Sequence, residues 1–278
     1  MRIATLALLS LLISAPAVQA GMPVPVKMTC AVGGERFTHT ETASYSTWGS
    51  RPDGKPYGSW TFPMPLPVCP GNGLVMYRDF TDAEKASLKA LIAGPEYRAL
   101  VEGRDTPHYR AAWLEGRLSP ASDDTVWILL QATWEADADP ARQARYDREF
   151  VVAVDAQPAK PGELIWAVLQ ARAANAERQL GDFDAAGRRL AAVDPAVFAA
   201  RTGGEPDPDA KNRPHWKSFY EELGVVIARR DPSREPLDMI NERTAAWKCK
   251  AMADRSKAQP TGFCETPKMV ATIKELQD

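Results

Sequence analysis

The sequence predicts a mainly α-helical protein: a small N-terminal module of β and proline-rich character, followed by a body of antiparallel helical hairpins. Three observations lead there. Residues 21–80 are dense in glycine, proline, threonine and aromatics and carry few helix signals. At Thr81 the pattern changes, and capping residues followed by apolar positions at helical spacing recur along the rest of the chain. Two stretches rich in helix breakers, the proline run from Pro63 to Pro70 and the polar segment 202–214, mark where helices cannot continue.

Ahead of the module lies MRIATLALLSLLISAPAVQA, in which Arg2 precedes an apolar run from Ile3 to Ile13 and small residues occupy Val18 and Ala20. That order of charge, apolar core and cleavage site is that of a secretory signal peptide, so residues 1–20 are expected to be removed after Ala20. The run is shorter than the roughly 20 apolar residues a bilayer span needs, and no later segment is apolar enough to serve. A periplasmic or secreted protein is expected, with no transmembrane segment after signal cleavage. The formal net charge of −2, one unit more negative without Arg2, argues against nucleic acid as a partner, because phosphate binding needs a basic face.

All four cysteines, Cys30, Cys69, Cys249 and Cys264, follow the signal. An even count in an oxidising compartment points to two disulfides. Of the three connectivities, Cys30–Cys69 with Cys249–Cys264 closes the shortest loops, free thiols being the alternative.

In the module, residues 21–80, Val24–Cys30 and Glu35–Tyr45 read as strands, the second with loose alternation and many threonines. Pro52-Asp53-Gly54 is a turn, proline presetting its first corner and glycine supplying positive φ. Pro63, Pro65, Pro67 and Pro70 each remove a backbone donor, so this arm must run extended, as polyproline II or along a sheet edge. Tyr45, Trp48, Tyr57, Trp60 and Phe62 on that stiff arm are the candidate binding residues: rigid aromatics offer large contact area to a protein, peptide or glycan at low entropic cost. The competing expectation is that they pack the arm onto the body.

The body is expected over residues 81–201. Thr81 and Glu84 form a capping box, and the helix they start places Leu88, Leu91 and Ile92 on one face and stops at Gly94-Pro95. Further helices are expected from Thr106-Pro107, from Ser122 with Asp123 and Asp124 in the first turn and Val126, Trp127, Leu130 and Trp134 at helical spacing, from Pro140, and from Pro161 to about Leu180. Residues 202–214 are expected as a linker loop. The C-terminal region 215–278 should hold helices at 215–230, 236–250 and 267–276.

Two resemblances arise from these residues. AANAERQLGDFDAAGRRL resembles one tetratricopeptide repeat, with Gly181 at the corner, Phe183 plugging the crossing and Ala174 and Ala186 where the helices approach. SYSTWGSRPDGKPYGSWTFPMPLPVCPGNGLVMYRDFTDAEKASL, together with YRAAWL, LLQATWEAD and the repeat-like segment, resembles the bacterial family catalogued as domain of unknown function 2225, over roughly Thr29 to Val193. Non-exported members of that family often carry two C-x-x-C knuckles like those of a zinc ribbon. The matching positions here are Cys30 and Gly33, then Cys69 and Asn72, so one cysteine of each pair remains. Two thiolates cannot close a tetrahedral zinc site. The resemblance therefore implies a degenerate, zinc-ribbon-like module in which a disulfide between Cys30 and Cys69 does covalently what the metal does elsewhere.

Catalytic signals are sparse. The three histidines, His39, His108 and His215, lie in different segments without metal-ligand spacing, and no G-x-S-x-G elbow, P-loop or dinucleotide fingerprint occurs, so no catalytic residue, metal or cofactor is expected. The function expected is that of an exported, non-enzymatic protein-interaction or binding module. An envelope hydrolase and a metal-dependent structural module are the alternatives. A histidine beside a carboxylate in a cleft favours the hydrolase; an aromatic groove favours binding.

Overall fold

The computed structural model describes residues 21–120, 122–199, 207–256 and 262–276; the expected signal peptide and the first part of the expected linker lie outside them. Strands β1 (Pro23–Thr29) and β2 (Arg36–Thr42) pair antiparallel, from Pro23 opposite Thr42 to Thr29 opposite Arg36. Burial alternates along β1, as a period of two requires when one face is covered.

The loop that follows β1 has a twin. Cys30 N–H donates to Glu35 O at 2.8 Å and Gly34 N–H to Cys30 O at 3.3 Å, while Cys69 N–H donates to Leu74 O at 2.8 Å and Gly73 N–H to Cys69 O at 2.9 Å. Gly34 and Gly73 both take positive φ, which glycine alone adopts freely. A disulfide joins the loops at Cys30 and Cys69, and Asn72 Nδ2 donates across them to Val32 O at 2.8 Å. The cystine is buried with Leu74, Phe80, Leu88, Tyr97 and Leu114, so the tied loops and the first helices share one core.

Between the loops, β3 (Thr47–Ser50) and β4 (Pro56–Gly58) pair antiparallel around the expected Pro-Asp-Gly turn. Arg51 N–H donates to Lys55 O and Gly54 N–H to Arg51 O, each at 2.9 Å. The proline run makes one bridge, Val68 opposite Val75, and otherwise no regular structure.

Helix α1 (Asp82–Ala93) begins with the capping box: Thr81 Oγ1 accepts from Glu84 N–H and Glu84 Oε2 from Thr81 N–H at 2.8 Å. Gly94 ends it as expected, but Pro95 opens α2 (Pro95–Glu102) at once, a helix the sequence reading omits. The missing proline N–H is one that the first helical turn never uses, so Gly94-Pro95 both stops and starts a helix. Then come α3 (Pro107–Leu118), α4 (Asp124–Glu135), α5 (Pro140–Asp155), α6 (Leu164–Gln179) and α7 (Phe183–Ala191). Helix α6 starts at Leu164 rather than Pro161, because Pro161-Gly162 is spent on a turn. Gly181 takes φ +85° at the α6–α7 corner, and Ala174 and Ala186 are fully buried.

Helix α8 (Arg213–Ala228) starts two residues before the expected His215. Its first residue is buried, Arg213 Nε 2.5 Å from Asp207 Oδ2 and Nη1 donating to Val197 O, so residues 207–214 lie against the body rather than free of it. The expected helix 236–250 splits into a 3₁₀ turn at Leu237–Met239 and α9 (Glu242–Ser256), because Asn241 Oδ1 accepts from Thr244 N–H at 2.9 Å and sets a new start. A disulfide between Cys249 and Cys264 ties α9 to the turn before α10 (Pro267–Glu275).

Each helix from α3 to α8 packs on the next. The centre of the body is fully buried Tyr146 and Phe150 with Tyr109 stacked at 4.2 Å, aromatics that contribute about 2–3 kcal/mol each by burial. No described helix is long and apolar enough to cross a membrane.

Candidate functional site

The five aromatics picked out in the arm divide among three places. Tyr45 is 51% exposed and meets buried Phe62 edge to face at 5.4 Å. Trp60, half-buried, packs on Gly21, and its Nε1–H has no acceptor among the described residues. With His39, Glu41, Met64 and Pro65, Tyr45 and Trp60 line an open cleft of about 360 Å³. Trp48 stands on β3, 53% exposed. Tyr57 turns the other way: its hydroxyl donates to Glu235 Oε1 at 2.9 Å and its ring packs on the α9–α10 cluster. One end of the arm is thus open, and the other packs onto the body and holds the molecule together.

The Pro-Asp-Gly turn reaches furthest into the body. Arg51 Nε and Nη2 donate to Asp53 at 3.2 and 2.5 Å, and Arg51 Nη1 donates to Asp137 Oδ2 at 2.8 Å. Lys55 Nζ (2.6 Å) and Arg234 Nη1 (2.8 Å) converge on the same Asp137 carboxylate. Trp134 Nε1 donates to Asp53 O at 3.2 Å. Burial works against the Arg51 charge, but Asp53 and Asp137 outweigh it and hold the guanidinium above its ordinary pKa. Asp147 of α5, buried beside this network, is pushed up to about 7 by desolvation with the charge of Asp53 added, against the pull of Arg234 and Arg51.

On the other side of the turn the protein leaves a pocket of about 380 Å³. Its walls are Trp127 and Trp134 of α4, Leu164 and Val168 of α6, Trp216 of α8 and Gly54 of the turn; Gln131 and Asn212 supply neutral polar groups and Asp209 sits among the lining residues. Gly54 is required twice: its φ is +92°, and a Cβ there would come within 3.0 Å of Arg172 Nη2 and 3.4 Å of the Trp134 ring.

Arg172 of α6 forms the charged end of the pocket. Its Nη1 donates to Pro52 O, and its guanidinium carbon lies 5.0 Å from the Trp216 ring centre and 4.7 Å from that of Phe219. Among the described residues no carboxylate comes within ion-pair distance of it. Crowded by protein, it keeps solvent contact where it lines the pocket. Desolvation lowers its pKa to about 10, with Asp53 the one acid opposing the shift, so at neutral pH it is still a full positive charge.

The histidines lie elsewhere. His39 Nε2 is 3.1 Å from Pro65 O in the arm cleft. His108 Nδ1 is 2.9 Å from Glu135 Oε1, a histidine–carboxylate pair, but His108 is buried in the α3–α4 packing and lines neither cavity. The sequence reading places Trp127 and Trp134 at helical spacing with Val126 and Leu130. Their spacing of two helical turns on one face is the signal for a wall, and what it could not give is Arg172, an ordinary helix residue until the turn arrives beside it. No family model, curated protein or solved structure matches this chain.

Proposed function

We propose that this protein is an exported, non-catalytic binding protein whose ligand site is the pocket between the Pro-Asp-Gly turn and helices α4, α6 and α8. The observation that carries this reading is Arg172: a desolvated guanidinium with no carboxylate partner among the described residues, at the end of a cavity walled by three tryptophans. Crowding a charge with protein and leaving it without a counterion costs free energy, an arrangement that structural needs alone do not favour and that a ligand relieves. The size and mixed lining are those of a small-molecule site. The arm acts as a clip that completes the pocket, and its outer aromatics, Tyr45, Trp48 and Trp60, form a secondary surface for a protein, peptide or glycan partner.

The finer relationships belong to the same reading. The matching hydrogen bonds of the Cys30 and Cys69 loops support descent from a two-knuckle metal module, with a Cβ on Gly33 coming 3.6 Å from Asn72 Nδ2 where the second pair of ligands would stand. Membership of domain of unknown function 2225, a tetratricopeptide-like α6–α7 hairpin and periplasmic location after signal cleavage complete the proposal.

Native mass spectrometry of protein isolated from the periplasm without reductant tests it. The expected species begins at Gly21, carries both disulfides and retains a small-molecule adduct that denaturation releases. Ile165→Trp, at an exposed position on the pocket edge, is expected to lose that adduct without loss of folding. An adduct retained equally by this variant, or no small-molecule binding at all, overturns the pocket as the site.

A further inference from the structure

The chemistry of the pocket narrows what it takes. We propose that it binds an organic monoanion with a flat apolar body, its carboxylate on Arg172 and its planar part against Trp127, Trp134 and Trp216. This deepens the pocket reading above and rests on it.

Charge comes first. Arg172 is the one cation among the described lining residues. Nη1 is engaged by Pro52 O, whereas Nε and Nη2 have no protein acceptor among the described residues, which leaves an edge of the guanidinium fork for a carboxylate. The neighbouring cations cannot share this role, because Arg51, Lys55 and Arg234 are bound to Asp53 and Asp137 on the far side of the turn. One desolvated cation matches one negative charge, which favours a carboxylate over a phosphate dianion. Asp209 contributes the lone carboxylate among the described lining residues, and its field acts on Arg213 rather than on Arg172.

Shape and polarity come next. Three indoles on α4 and α8 suit a planar apolar group, and the same rings in a cage without Arg172 would suit a cation. Arg172 excludes that occupant. Gln131 and Asn212 can hydrogen-bond a substituent but carry no charge to anchor one.

Calorimetric titration of the oxidised mature protein with three probes of one shape separates the possibilities: 2-naphthoate, 2-naphthamide and 2-naphthylmethylammonium. The acid is expected to bind at least about 10-fold more tightly than the amide, and the ammonium not at all, since a charged hydrogen bond is the difference between them. Arg172→Lys is expected to weaken the acid about 10-fold, because a point charge replaces the fork. Arg172→Gln is expected to bring the acid to within about 3-fold of the amide, because the charge that separates them is gone. Acid and amide binding equally to the wild-type protein, both lost in Ile165→Trp, overturns the anion class while the pocket stands. Tighter binding of the ammonium overturns it likewise. No heat with any of the three overturns the class and the pocket reading together.

Discussion

Arg51 and Arg172 both serve the same turn, and the chain surrounds them in opposite ways. Arg51 is 7% exposed and has two carboxylates, one of them gripping it through two nitrogens. Arg172 has a carbonyl and two aromatic faces. The first is held above the ordinary arginine pKa and the second falls below it, although both lose water to burial. The difference teaches which charge the fold needs. A buried cation with its counterions in place fixes the arm to the body, while a partly buried cation without them is a cost that the fold carries.

Removing one counterion makes the sharpest test of that contrast. Asp53→Asn keeps the turn's shape, because the side-chain oxygen that accepts from Lys55 N–H at 2.9 Å remains, but it strips Arg51 of its closest charge. A loss of about 4 kcal/mol is expected in urea unfolding. Arg172→Gln is expected to cost less than about 1 kcal/mol or to stabilise; equal losses in the two variants would erase the distinction.

Asp147 sharpens it through pH. Its carboxyl titrates near 7 in the folded protein and near 3.8 when unfolded, so between these values the folded state holds a proton that the unfolded state has released. Stability from this group is complete below the unfolded value and falls by about 3 kcal/mol as pH rises from about 4 to about 7, then levels off. Asp147→Asn is expected to remove that slope and to make the protein more stable at about pH 8, as read by thermal unfolding across pH. Trp134→Phe deletes the hydrogen bond to Asp53 O but keeps an aromatic wall. About 1 kcal/mol of stability is expected to go, with naphthoate affinity changed less than about 3-fold.

Local features of the fold were legible in the sequence, since they depend on neighbours in the chain. Thr81 with Glu84, Pro107 after Thr106, Pro140 after Asp139 and Gly181 all act within a turn of helix, and the structure has them at helix boundaries. Both disulfides followed from the order of the cysteines. Ambiguity entered where one residue serves two purposes: Pro95 can stop a helix or start one, and Tyr57 and Trp60, almost adjacent in an arm without a regular face, point to different neighbours. The pocket was not legible. The Pro-Asp-Gly turn could be read as a turn, but that it docks on α6 depends on shape and charge matching between distant segments, and periodicity carries no trace of that.

Distance along the chain also orders events in time. The Arg172–Pro52 contact closes 120 residues and the Tyr57–Glu235 contact 178. Helix pairs can form early and quickly from local contacts, whereas a wall donated by a remote segment must wait for a large loop to close. The chain is therefore expected to pass through a state with its helices in place and its pocket still missing a side. For the binding role proposed above, the site is complete only when the arm is seated, so a capacity to bind would be the signature of a completed fold.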